Sequence, residues 1–160
     1  MSARPENATA LVTGASKGIG SAIARALAAD GGLGDTIVAS LEDPFIRMDG
    51  ISTFKIAIKR LSESTIYAVS AAGIELDDID LFVYHQANSR IIKAVGERLE
   101  LDPAKVADYI AQLGNTSAAS IPLTLSLSRE DGRLRPGHKV LIAAIGAGFT
   151  WGAGVMEWSG

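Results

Sequence analysis

The chain has 160 residues, 48% of them apolar, a formal charge of -3 and no cysteine. These values exclude a disordered chain, which could not bury enough apolar surface. They also exclude a strongly basic surface for nucleic acid or anionic membrane, and any disulfide, thiolate metal site or thiol nucleophile within these residues. No stretch reaches the roughly 20 apolar residues that span a bilayer, and Thr13 and Gly14 interrupt the apolar run that follows residues 1–7, so no signal segment is expected. A cytoplasmic protein with no membrane or nucleic-acid partner is the expectation.

In chain order, residues 8–12 read as a short buried strand, 14–20 as a glycine-rich turn and 21–29 as a helix of strong helix formers. Gly31, Gly32 and Gly34 end that helix and mark a seam between residues 1–33 and 34–160. A second strand is predicted at 36–39, and 41–50 reads as irregular, punctuated by Pro44 and Gly50. Phe54, Ile58, Leu61, Thr65, Val69 and Ala72 then recur at helical spacing, with Lys55, Lys59 and Glu63 between them and Gly73 as the stop. Residues 81–84 form a continuous apolar run, the pattern of a strand buried on both faces. Ile91, Ile92, Val95 and Leu99 give the stripe of the next helix, and a third helix follows Asn115 with Pro122 in its first turns. Pro136-Gly137 predicts a turn, 140–144 a strand, 146–148 a second turn and 152–158 a closing strand. Helices alternating with strands imply a layered α/β architecture.

Thr13-Gly14-Ala15-Ser16-Lys17-Gly18-Ile19-Gly20 follows a strand and opens a helix. Gly14, Gly18 and Gly20 allow a tight turn and close approach of a pyrophosphate, which the helix N-terminus favours. With Ser16 and Lys17, these residues resemble the cofactor loop of short-chain dehydrogenases, where a basic residue at the place of Lys17 favours NADP. Glu42 stands near where a ribose-binding acid could sit, but no βα unit continues the pattern. The Tyr-x-x-x-Lys pair of that family's chemistry is missing, since Ala71, Asn88 and Leu113 stand four residues after Tyr67, Tyr84 and Tyr109. The expectation is a Rossmann-type strand-turn-helix fragment that binds NADP poorly, with no cofactor required. Gly14-Ala15-Ser16-Lys17-Gly18 also satisfies the spacing of a hydrolase nucleophile elbow, but the cofactor-loop pattern accounts for more of the neighbouring residues.

Three later segments carry the stronger signal: Tyr84-His85-Gln86-Ala87-Asn88, Gly114-Asn115-Thr116-Ser117-Ala118-Ala119-Ser120, and Gly146-Ala147-Gly148-Phe149-Thr150-Trp151-Gly152. Singly, each has a structural explanation: a strand-end histidine can be a hydrogen-bonded core group, Asn115 a cap and Gly146 to Gly148 a turn. In this order, with Ile46-Arg47-Met48-Asp49-Gly50, Asp131-Gly132-Arg133 and Arg135-Pro136-Gly137 around them, they resemble the ketoacyl-ACP synthase III family of the thiolase fold.

That resemblance implies a thiolase-like half-domain over 34–160, preceded by the fragment at 1–33. It implies an acyltransferase of fatty acid biosynthesis that condenses a cysteine-held acyl group with malonyl-ACP. By resemblance, His85 and Asn115 are the catalytic pair donating hydrogen bonds to the thioester oxygen as CO₂ leaves. Gly146, Ala147 and Gly148 form the second oxyanion loop, with the Ala147 amide where the family usually has glycine. Gln86, Ala87, Asn88, Ser89 and Arg90 match the segment that binds acyl carrier protein; Arg98 keeps a basic residue on the same helix, and Glu97 stands where a lysine is sometimes found. The family's nucleophilic cysteine has no counterpart here, and the hydroxyl of Ser16 lacks thiolate character, so full condensation is not expected from these residues alone. Carrier protein and malonyl or acyl thioesters are the expected partners, together with self-association of the chain.

Overall fold

The structure, a computed structural model, describes residues 37–38 and 47–159. The described residues fall into two compact units, one holding those up to Phe54 with Ile145–Trp151, the other Lys55–Ala144 with the residues after Trp151. In the smaller unit, β1 (Ile37–Val38) pairs antiparallel with β2 (Arg47–Met48), Ile37 opposite Met48. The segment 41–50, expected to be irregular, therefore contributes a strand, too short to show any alternation of side chains.

Helix α1 (Gly50–Ala71) begins where Asp49 caps it. The Asp49 carboxylate accepts from the Ile51 and Ser52 amides, at 3.0 and 3.1 Å, and so satisfies donors that the first turn leaves unpaired. Ala57, Leu61, Thr65, Ala68 and Val69 form its buried stripe. The helix closes as the Ile74 amide reaches back to the Val69 carbonyl.

The larger unit is built on a sheet in the order β3–β4–β5, with β3 at Leu81–Tyr84, β4 at Lys139–Gly146 and β5 at Thr150–Glu157. β3 and β4 run parallel, Leu81 opposite Val140 and Tyr84 opposite Ala143. All four β3 residues are buried, because the strand is covered on both faces. Alternation sends Phe82 and Tyr84 to one face, where their rings stack with centroids 6.5 Å apart. The Tyr84 hydroxyl there meets Thr65 Oγ1 of α1 at 3.2 Å. Burial pushes the Tyr84 phenol up to about 12, with the Thr65 hydrogen bond acting in the opposite direction. Leu81 and Val83 face the other way, into a core with Ala107, Tyr109, Leu134 and Val140.

Three further helices complete this unit: α2 (Ser89–Arg98), α3 (Ile110–Leu113) and α4 (Ser120–Glu130). α2 buries Ile91, Ile92 and Val95, as its spacing predicts, and Leu99 is its C-cap. α4 starts at Ser120 after a 3-10 turn at Ser117–Ala119, so Pro122 falls in the first turn, where its missing N–H costs nothing. The short α3 has no periodic signal in the sequence. β4 and β5 run longer than predicted, so that Gly146 ends a strand and Thr150 begins one.

The open edge of β3 is met by the segment 104–107. The Ala107 amide donates to the Phe82 carbonyl at 3.0 Å, and Arg133 Nη2 holds the Ala104 and Val106 carbonyls at 2.7 and 3.1 Å. Gln86, with no exposed surface, locks this arrangement. Its Nε2 donates to the carbonyls of Tyr84 (2.9 Å) and Ala107 (3.3 Å), and its Oε1 accepts from the Tyr109 amide (2.8 Å). Replacing Gln86 with Leu strands two carbonyls and one amide in the interior. Urea unfolding of Gln86→Leu should show a loss of about 3 kcal/mol, and a loss below about 1 kcal/mol would show that the amide is not a structural junction.

Candidate functional site

β3 carries His85 to its site. The His85 amide donates to the Ala143 carbonyl at 2.8 Å, extending the parallel ladder one step beyond Tyr84, and the Ala87 amide then turns back onto the His85 carbonyl at 2.8 Å. The imidazole is half-buried at this strand end, and burial lowers its pKa below the ordinary 6.5. Its Nδ1 lies 2.6 Å from Ser120 Oγ, which also accepts from the Gln86 amide at 3.3 Å. Ser120 is fully buried at the first position of α4, so helix and strand meet at this hydroxyl.

Asn115 lies five residues before Ser120. Gly114 ends α3 with φ 66°, in the left-handed region that glycine enters without penalty, and so redirects the chain before Asn115. The Asn115 side chain is exposed; its Oδ1 accepts from the Ser117 amide at 3.0 Å, holding Ser117 at φ 53°. Its amide nitrogen keeps two N–H groups to donate. His85 and Asn115 thus flank the entry to α4 within one unit, one bonded to its first residue and the other to the turn before it.

The segment expected to bind a carrier protein divides between interior and surface. Gln86 is buried with its amide fully engaged on backbone groups, and so braces the interior beneath this segment. Asn88 caps α2 by accepting from the Arg90 amide at 2.9 Å, and the Ser89 hydroxyl donates to the Asp108 carboxylate. Arg90 and Arg98 are exposed on α2, while Lys93 and Glu97 lie 3.8 Å apart as an i,i+4 pair. A cavity of about 480 Å³ follows the same helix, floored by Ile92, Gly96, Leu101 and Val106, and includes neither His85 nor Asn115.

Gly146, Ala147 and Gly148 belong to the smaller unit. Gly148 has φ 133°, and a Cβ there would come within 3.3 Å of Thr150, so the position demands glycine. Ala147 is exposed, and its carbonyl accepts from Thr150 Oγ1 at 3.4 Å. Gly14, Ser16, Lys17, Gly18 and Gly20, the seam at 33/34 and Glu42 lie outside the described residues. Among the described residues, no three His, Asp or Glu side chains gather as a metal site requires, and no helix is long and apolar enough to cross a membrane. Ser120 closes the segment Gly114–Ser120 without a role of its own in the sequence, and its burial against His85 is what the structure adds.

Residues 69–158 match the family model described as 3-oxoacyl-[acyl-carrier-protein (ACP)] synthase III C terminal. The β-ketoacyl-[acyl-carrier-protein] synthase III of Neorickettsia sennetsu is 42% identical over 132 residues, covering 82% of this chain and 42% of that protein. The protein of that name from Bradyrhizobium diazoefficiens is 45% identical over 113 residues, covering 71% of this chain and 35% of that protein. Among crystal structures, the synthase III of Thermus thermophilus superposes with a TM-score of 0.75 at 39% identity, covering 79% of this chain and 43% of that one. The Pseudomonas aeruginosa enzyme gives 0.75 at 36%, covering 80% and 41%. The chain thus spans less than half the length of these relatives.

The buried imidazole makes stability depend on pH. His85 takes up a proton less readily in the folded chain than at the ordinary 6.5, so below that value the unfolded state binds more protons. The stabilisation associated with neutral His85 is complete above 6.5 and is lost as pH falls toward the lower folded value. Unfolding midpoints should therefore drop between pH about 7.5 and about 5.5, and His85→Gln should flatten that part of the profile. An equal slope in the variant would assign the dependence to other groups.

Proposed function

The chain belongs to the 3-oxoacyl-ACP synthase III family, matching its C-terminal region, and we propose that it supplies the hydrogen-bond-donating side of a site for malonyl thioesters. The observation that carries this reading is the pair at the entry to α4: a half-buried imidazole with one nitrogen taken up by Ser120, and an exposed carboxamide whose oxygen is taken up by Ser117. Each side chain has its acceptor or one ring position occupied by the protein and keeps N–H groups for a ligand.

Such donors suit one step. When a malonyl thioester loses CO₂, the bond between the carboxylate and the central carbon breaks, and its electron pair moves onto the thioester oxygen. Donors placed in advance at that oxygen stabilise the charge as it develops, which removes part of the barrier. The low proton affinity of His85 keeps it neutral near pH 7, as an N–H donor rather than a cation. The Ala147 amide would serve the acyl oxygen at a second hole. The acyl group itself needs a thiolate, and the 160 residues contain no cysteine, so condensation requires a cysteine from outside these residues. Arg90 and Arg98 on α2 offer positive charge to an acidic carrier protein, with Glu97 partly offsetting it through Lys93. In this reading the chain works in fatty acid biosynthesis, the role of the synthase III family to which it belongs.

Purified chain given malonyl-ACP should release CO₂ and leave acetyl-ACP, without ketoacyl product. His85→Ala and Asn115→Ala should each slow release about 10²- to 10³-fold, the usual cost of one oxyanion donor. Absence of CO₂ above the uncatalysed rate would sink this reading. The accompanying partner is a second copy of the chain. Ile51, Ile66, Tyr67 and Leu123 are large apolar side chains left exposed, Tyr67 at 77%. Such side chains favour association where they join in one patch. Sedimentation at micromolar concentration should give a dimer or larger species, and a monomer that leaves a hydrophobic dye unbound would count against self-association.

A further inference from the structure

We infer that Ser120 is a positioning residue which fixes the tautomer of His85, so that the ring nitrogen presented to a ligand is Nε2–H. The inference rests on the malonyl-thioester reading for its purpose, but not for its geometry. Ser120 Oγ receives the Gln86 amide at 3.3 Å, and a backbone N–H can only donate, so this oxygen is already an acceptor. The hydroxyl has one proton of its own, and the side chain is fully buried, so that proton needs an acceptor inside the protein. Among the described residues, the acceptor within reach is His85 Nδ1, at 2.6 Å. Nδ1 therefore carries its lone pair toward Ser120, and the proton of the neutral ring sits on Nε2. The opposite assignment, with Nδ1–H donating to Oγ, would give that oxygen two incoming protons and leave the Ser120 proton buried without a partner.

The orientation is as constrained as the proton. Oγ is tied at once to the ring of His85 and to the amide of the next residue, so strand end and ring are held by one atom. Ser120 itself stands on α4, outside the β3 segment whose ring it orients, so the control is exerted across the interior rather than along the chain.

The test reads the tautomer directly, by ¹⁵N NMR of the imidazole in the full 160-residue chain at neutral pH. The unaltered chain should show a protonated Nε2 and a lone pair on Nδ1. Ser120→Ala should raise the Nδ1–H fraction about fivefold, the factor that one neutral hydrogen bond represents. If Ser120→Ala does not fold, Ser120→Cys, with a weaker donor of similar volume, is read in the same way. Thr124→Ala is the control: it removes a buried hydroxyl one turn along the same helix, which has no hydrogen-bond partner, and should leave His85 unchanged. A protonated Nδ1 in the unaltered chain overturns the inference. So does an unchanged tautomer in the Ser120 variants, or an equal shift in Thr124→Ala. A fixed tautomer released by Ser120→Ala in a chain that yields no CO₂ would keep the positioning role and remove only the thioester reading.

Discussion

A single side-chain amide organises the ground on which the site stands. Gln86 follows directly on His85, and its carboxamide uses both donors and its acceptor on backbone groups from two stretches of chain. It holds the end of β3 against residues 107–109, where no continuous strand is available to complete the edge. A buried amide left half-satisfied would be costly, and one fully satisfied specifies a single arrangement of its neighbours. The histidine one position earlier inherits that rigidity, because its own amide is in the β3–β4 ladder while the next residue is braced from inside.

The same economy of small polar groups recurs along α4. Ser120, Thr124 and Ser128 are all buried, at a spacing of four, while Pro122 and Leu123 face outward. Small side chains on the inward stripe let a helix approach the sheet closely, and here they also bring hydroxyls to specific targets. Ser120 reaches His85, and Ser128 reaches the Tyr109 hydroxyl, which donates in turn to Asp131. The helix is thus attached to β3 and to the segment beyond it by chemistry as well as by packing.

These two observations explain which parts of the molecule could be read from its residues. The run 81–84 announces a strand covered on both faces because its four side chains are apolar without interruption, and α1 announces itself through a stripe from Leu61 to Val69. His85 and Asn115 stand out because motif and order accompany them. What escaped was structure made by polar side chains working inward. Gln86 looks like a surface residue by type, and only its three partners, up to 23 positions away, make it a core residue. In α4 the fully buried stripe is made of hydroxyl side chains, while Ile121, Leu125 and Leu127 pack against the core from beside it, so hydropathy alone conceals the face that meets the sheet. The strand β2 and helix α3 were missed for a simpler reason, since two and four residues are too few to show a period.

The parallel pairing of β3 with β4 also governs the time course by which this chain acquires its shape. The Asp80 carboxylate accepts from the Lys139 amide, partners 59 positions apart, and the ladder runs on from there. Closing so long a loop costs chain entropy before any ladder bond repays it, which slows folding in topologies dominated by distant pairings. The stretch that must be enclosed includes His85, Asn115 and Ser120. His85 and Asn115 stand 30 positions apart within it, so local structure alone does not assemble them, and the ladder bond that holds the His85 amide forms only with β4. In a nascent chain the His85 amide would lack its ladder partner until the residues of β4 had been synthesised, so the rigidity of that donor arises with completion of the sheet rather than ahead of it.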